Sequence, residues 1–112
     1  MGEELNRELV RGSLPLMVLS VLATGPKYGY LIQKEVKEAS GGGIGLAAGT
    51  LYPLLHRLEA DKLIACRWET AGGRKRKWYS LTAAGKKRLA NQAQQWREYA
   101  HCLSALLAGA ST

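Results

Sequence analysis

Apolar residues return at helical spacing along most of this chain and switch to strict alternation between residues 63 and 81. Leu14, Met17, Val18, Val21 and Leu22 share one face of a helix over residues 14–23, with Ser13 placed to cap it and Pro15 tolerated in its first turn. Thr24-Gly25-Pro26 ends that helix. Tyr28, Leu31, Ile32, Val36 and Ala39 form a second stripe, while Gln33, Lys34, Glu35, Lys37 and Glu38 stay in water. Gly41-Gly42-Gly43 marks its end and a mobile loop. A third stripe, Leu51, Leu54, Leu55 and Leu58, follows the i, i+3, i+4, i+7 spacing of a helix seated on a core.

On that third helix Gly49, Thr50, Pro53, His56 and Arg57 point away from the stripe, with Tyr52 on its flank. This outer face is small, polar or cationic, which suits a nucleic-acid groove. Pro53 has no N–H, so it fits best in the first turn of a helix beginning near Thr50; a start near Ala47 would force a bend.

Residues 63–69 alternate, with Ile64, Cys66 and Trp68 inward and Ala65, Arg67 and Glu69 outward, as in a half-buried strand. Gly72-Gly73 supplies a turn, and residues 75–81 return with Lys77, Tyr79 and Leu81 alternating with Arg76, Trp78 and Ser80. Arg74, Lys75, Arg76 and Lys77 therefore stand together at the tip of a hairpin, where their mutual repulsion is costly unless a polyanion is present. From residue 83 to 107, Leu89, Trp96 and Leu103 recur every seventh position, joined by Ala93, Ala100 and Leu107 and by Tyr99 and Leu106. That apolar surface is wider than one small domain can cover, which predicts dimerisation, although a short amphipathic helix carrying Leu5, Leu9 and Val10 offers a partner within the chain.

Charge sharpens the picture through its distribution. The chain carries 16 Lys and Arg against 9 Asp and Glu, a net charge of +7. Residues 1–48 hold five of each sign and are neutral, so the excess lies entirely in residues 49–112. Residues 74–88 hold seven cations and no acid, the footprint of a phosphate-facing surface. An anionic membrane would attract the same charge, but turn and strand signals interrupt the run and no long amphipathic basic helix forms. The longest apolar run, residues 14–23, is too short to span a bilayer, and Glu3, Glu4 and Glu8 spoil the basic flank a signal peptide needs. Cys66 and Cys102 lack metal-ligand or disulfide-rich spacing, which points to a reduced, cytoplasmic protein. With His56 and His101 far apart and no glycine-rich phosphate loop after a strand, neither an enzyme nor a cofactor or metal site is expected.

The order helix, helix, helix, strand, strand, helix is mainly α with a small β-wing. It reads as a winged helix-turn-helix over residues 1–81, followed by a C-terminal dimerisation helix and short tail over residues 82–112. Gly29-Tyr30 follows Gly25-Pro26; after them come Gly49-Thr50-Leu51-Tyr52-Pro53-Leu54-Leu55, Arg57-Leu58-Glu59, Leu63-Ile64, Arg76-Lys77-Trp78-Tyr79, and Leu81-Thr82 with Gly85. In these motifs, spread over about residues 9–107, the chain resembles the PadR family of transcriptional regulators. The resemblance implies a bacterial or archaeal repressor that binds an inverted-repeat operator as a homodimer. It also implies a C-terminal helix packed on its own mate and on the other subunit's N-terminal helix. Members of the family usually carry glycine where this chain has Lys62; lysine costs about 1 kcal/mol there if the left-handed helix end is kept, and otherwise the end closes differently.

The expected DNA-binding set is Tyr30, Thr50, Tyr52, Pro53, His56 and Arg57 with Arg74, Lys75, Arg76 and Lys77. The helix residues would read the major groove, while the wing and Lys86 to Arg88 would hold phosphates. The expected dimer set is Leu5, Leu9, Leu89, Ala93, Trp96, Tyr99, Ala100, Leu103, Leu106 and Leu107. Some relatives resembling this chain bind flat hydrophobic compounds between subunits, and Trp96 with Gln92 and Tyr99 would be positioned to stack on one; simple packing of the dimer core is the competing role for Trp96. A winged helix used as a protein-interaction module, or one bound to RNA, is the alternative function.

Overall fold

The computed structural model describes residues 5–110, with the side chain of Arg7 outside that description. A short helix, α1 (Arg7–Val10), runs through a single 3-10 turn at Arg11–Ser13 into α2 (Leu14–Leu22). Next come β1 (Lys27–Tyr28), α3 (Gly29–Ala39), α4 (Ala48–Ala60), β2 (Ile64–Ala71), β3 (Arg74–Leu81) and α5 (Ala83–Ala110). Val18, Leu19 and Leu22 of α2, Ile32 and Val36 of α3, and Leu51, Leu54, Leu55 and Leu58 of α4 meet in one core that Leu63, Ile64 and Tyr79 close from the sheet side. The three expected stripes each supply part of this core, and Leu19, outside the expected α2 stripe, is fully buried with them, while Leu31 is only half-buried. Burying these side chains is the main source of the fold's stability.

Several local features differ from the sequence reading, each for a physical reason. Ser13 stands at the N-cap of α2, but its hydroxyl donates to the Val10 carbonyl at 3.0 Å and caps nothing. Pro15 instead removes one of the free amides of that first turn. Tyr28 leaves the α3 stripe for β1, pairing in register with Trp78 of β3, and Ala39 at the other end of the stripe is exposed. A two-residue strand has no period to read, so β1 was invisible in the pattern. It makes the sheet three-stranded, in the order β1-β3-β2, all antiparallel. Lys27, buried beside it, donates to Thr24 Oγ1 at 2.6 Å and pairs with Glu35 at 3.6 Å, closing the turn between α2 and α3.

The segment ahead of α4 is held from two sides. Gly41 and Gly42, at φ 64° and 86°, close α3 in a Schellman motif, with Gly42 N–H donating to the Lys37 carbonyl and Gly41 N–H to that of Glu38. Gln33 Nε2 donates to the Leu46 carbonyl at 2.9 Å, and Leu5 N–H donates to that of Gly43 at 2.7 Å. α4 begins at Ala48 with Ala47 as N-cap, earlier than the expected start near Thr50. Pro53 therefore lies inside the helix and removes the amide that would have reached the Gly49 carbonyl.

At its far end α4 keeps the left-handed close despite Lys62, whose φ is 63°. Leu63 N–H reaches the Leu58 carbonyl at 3.0 Å and Lys62 N–H that of Glu59 at 2.9 Å, a complete Schellman motif with Leu58 and Leu63 both buried. The backbone bonds and that apolar pair outweigh the strain of a lysine in this region. Lys62→Gly should consequently raise stability by about 1 kcal/mol, seen as a higher urea midpoint with an unchanged slope. An unaltered midpoint would mean that the position carries no strain.

Thr82 fastens this helix end to α5. Its N–H donates to the Leu63 carbonyl at 3.1 Å and its hydroxyl to that of Lys62 at 2.8 Å, while Oγ1 accepts from Gly85 N–H at 3.0 Å as a side-chain cap. Gly85 is buried, and a Cβ there would strike the Leu63 carbonyl oxygen. Beyond this anchored root α5 leaves the core: every position from Arg97 to Ala110 is exposed, and the molecule measures 59 Å along its longest axis against 21 Å along its shortest.

Candidate nucleic-acid interface

The stripe of α4 buries Leu51, Leu54, Leu55 and Leu58, which leaves Tyr52, Pro53, His56 and Arg57 exposed and Thr50 half-buried. Tyr52 is the best-positioned of these. Its ring lies against the backbone of Gly29 at the start of α3, where any Cβ would strike the phenol oxygen, so Gly29 is the seat that lets Tyr52 lean toward the sheet. It remains 41% exposed.

The β2-β3 hairpin rises beside α4 as expected, and pairs Ile64 with Leu81, Cys66 with Tyr79 and Trp68 with Lys77. Only its root is buried. Trp68, expected inward, is 59% exposed because the hairpin has by then outrun the core. Between hairpin and helix lies a cleft of about 760 Å³ whose walls bring together Tyr30, Tyr52, His56 and the whole run Arg74, Lys75, Arg76 and Lys77. Tyr28, Trp68 and Tyr79 complete its aromatic lining. Neither Asp nor Glu lines it among the described residues.

The four wing cations are not equivalent. Arg74 and Lys75 are exposed, the latter with Nζ 5.5 Å from the centre of the Trp68 ring. The Arg76 guanidinium sits 4.2 Å over the Tyr28 ring, which itself meets Trp78 edge-on at 5.0 Å. Stacking fixes that guanidinium in place and keeps its charge, a suitable arrangement for a phosphate. Lys77 is half-buried and turned to Glu59, Nζ 3.6 Å from Oε1. The Cys66 thiol donates to Oε2 of the same carboxylate at 2.9 Å, so Glu59 ties the last turn of α4 to both strands. That thiol bond, aided by Lys77 and His56 against the opposing effect of burial, holds the Glu59 carboxyl below its ordinary range. The same bond, followed by burial, pushes the Cys66 thiol up, which keeps it protonated and unreactive. Burial works to lower the Lys77 ammonium, but Tyr79, Cys66 and Glu59 together hold it above its usual value. Lys77 is a brace for the wing before it is a phosphate ligand.

Other expected site residues fall elsewhere. Thr50 lines a second hollow of about 800 Å³ between the N-terminal segment, α3 and the loop before α4, which Tyr30 also borders. Pro53 and Arg57 line neither hollow and face outward from α4, and Lys86, Lys87 and Arg88 are exposed on the first turns of α5. Along α5 Leu89, Gln92, Ala93 and Trp96 are half-buried, whereas Tyr99, Ala100, Leu103, Leu106 and Leu107 are exposed, as are Leu5 and Leu9. Trp96 meets Tyr99 edge-on at 5.6 Å, and a methyl group added to Gly12 would stand 3.9 Å from its ring. Reading the residues one at a time missed Gly29 as the seat of Tyr52, Glu59 as a brace and Trp68 as a cleft wall. For the first two the signal was there, in the Gly29-Tyr30 and Arg57-Leu58-Glu59 motifs; for Trp68 alternation pointed the wrong way.

No described helix is long and apolar enough to cross a membrane. Residues 18–91 match the Transcriptional regulator PadR-like family. A transcriptional regulator of Mycobacterium tuberculosis (strain ATCC 25618 / H37Rv) is 35% identical over 94 residues, covering 84% of this chain and 85% of the relative. The crystal structure of a PadR family transcriptional regulator from Eggerthella lenta DSM 2243 superposes with a TM-score of 0.79 at 38% identity, over 89% of this chain and 86% of that one. That of a PadR family transcription regulator from hypervirulent Clostridium difficile R20291 gives 0.78 at 33% identity, over 86% and 99%. With the family motifs, the winged helix and these relatives in agreement, the chain belongs to the PadR-like family of transcriptional regulators.

Proposed function

We propose that the protein is a repressor that binds double-stranded DNA at an inverted-repeat operator as a homodimer. The observation that carries this reading is the cleft between α4 and the wing, lined by Arg74, Lys75, Arg76 and Lys77 and by no carboxylate among the described residues. Such a surface is electrostatically unfavourable alone and is relieved by phosphates. α4 would enter the major groove, with His56 and Arg57 donating to base edges, while Arg74, Lys75 and Arg76 grip the backbone. The exposed apolar length of α5, together with Leu5 and Leu9, would pair two copies and set two copies of α4 against half-sites about one helical turn, roughly 34–36 Å, apart. A planar hydrophobic effector stacked on Trp96 near Gln92 and Tyr99 would act at the same junction. Two free cysteines suit the reducing cytoplasm.

The test is fluorescence anisotropy with a labelled duplex from upstream of the coding sequence, challenged with unlabelled random duplex, RNA and an acidic protein at two salt concentrations. The expected result is binding that survives random DNA, with Arg57→Ala relaxing sequence preference and Arg76→Ala weakening all sequences and flattening the salt slope. Removal by any duplex, or preference for RNA or the acidic protein, would reject the operator reading.

A further inference from the structure

The wing carries a large aromatic side chain that the phosphate-gripping role does not use. Trp68 is 59% exposed, stands on the wall of the cleft opposite α4, and lies beneath the ammonium of Lys75. Lys77, its partner across the hairpin, is turned away to Glu59, and although Lys75 of the same strand stands over the ring, most of the side chain stays in water. An exposed tryptophan at the end of a hairpin contributes little to the fold, since its apolar face remains in water.

The chemistry of the wall indicates what would cover that face. Cations and aromatic rings share it: the Lys75 ammonium stands 5.5 Å over the Trp68 ring, and Arg74, Tyr52 and His56 line the same cleft. Along one strand of a nucleic acid, each phosphate likewise has a sugar beside it. A phosphate meeting Lys75 would bring the neighbouring sugar onto the indole beneath that ammonium. In DNA this sugar presents the apolar C2′ edge, whereas in RNA the same edge carries a hydroxyl that would be desolvated against the ring.

Resting on the DNA-binding function proposed above, we infer that Trp68 packs against a deoxyribose of the strand held in the cleft. Its contribution is apolar and independent of base identity. It therefore adds affinity for duplex DNA that salt does not screen, unlike the neighbouring cations.

The experiment compares the wild type, Trp68→Ala and Trp68→Phe by anisotropy on random-sequence duplex DNA across a salt series and on single-stranded DNA, with thermal melts of all three proteins. Trp68→Ala is expected to weaken duplex binding about tenfold with the salt slope and melting temperature unchanged, and Trp68→Phe to keep most of the affinity. Wild-type binding that Trp68→Ala leaves within about twofold would overturn this assignment while leaving the DNA reading intact. A loss confined to single-stranded DNA would also overturn it, by showing the ring stacked on bases. A wild type that binds no duplex at any salt would remove both readings together.

Discussion

Gly85→Ala is expected to destabilise the protein by about 3 kcal/mol, the upper end of what an overpacked site costs, although it exchanges the poorest helix former but proline for the best. Helix propensity alone would give the opposite sign. The difference arises because the first turn of α5 lies directly on the backbone at Leu63, and the obstacle to a Cβ is a carbonyl oxygen, with Leu81 close behind. A side chain would rotate aside; this carbonyl cannot, because it already accepts the Thr82 N–H, and the Leu63 amide is committed to the end of α4. Relief requires lifting the root of α5, which also breaks the Thr82 cap on Gly85 N–H and the Thr82 bond to Lys62. Gly49→Ala is the matched control. It too lies inside a helix, a Cβ there meets open space, and it should be neutral or stabilising by up to about 1 kcal/mol. Urea unfolding of both variants at one fixed protein concentration checks the pair, because a dimer's apparent stability depends on concentration. Equal midpoints for the two alanines would mean that α5 does not pack on Leu63 as described.

The same contact explains why part of this protein was legible in its sequence and part was not. Stripes such as Leu51, Leu54, Leu55 and Leu58 report burial, so the main helices, much of the core and the existence of the hairpin followed from spacing alone. Glycines that admit a neighbour leave no periodic trace. Gly29 beneath Tyr52 and Gly85 against Leu63 stood out only as members of motifs, and their reasons are tertiary. β1 was hidden for a related cause: two residues gain their conformation from pairing with β3, and the strand preference of Tyr28 alone is too short a signal to set against the helix that follows. Trp68 was misjudged because alternation tells which face of a strand a residue is on and not where the core beneath that face ends. The cleft was anticipated as a basic hairpin beside a polar helix face; that Lys77 is diverted to Glu59 depends on a carboxylate 18 positions away and on Cys66 between them.

The largest functional effect should come from residues outside that cleft. Leu103, Leu106 and Leu107 lie where α5 has left its own core, and Leu106 is 71% exposed. Leu107 is 60% and Leu103 39% exposed, so their substitution removes little packing within the described chain. The double variant Leu103→Glu with Leu107→Glu would instead bury two carboxylates from each copy in a helix pair, a cost far beyond what the remaining contacts return. It is expected to give folded monomers by light scattering, with the far-ultraviolet helix signal largely retained. Its affinity for a two-half-site duplex should fall by about 10²–10⁴-fold, since one winged helix loses the effective concentration its mate supplies. Its affinity for a single half-site should change little, and that contrast separates lost pairing from a damaged interface. A variant that stayed dimeric would place the subunit contact elsewhere on the molecule. A monomer that held the full duplex as tightly as the parent would show that the two-fold arrangement contributes nothing to recognition, leaving each cleft to act alone.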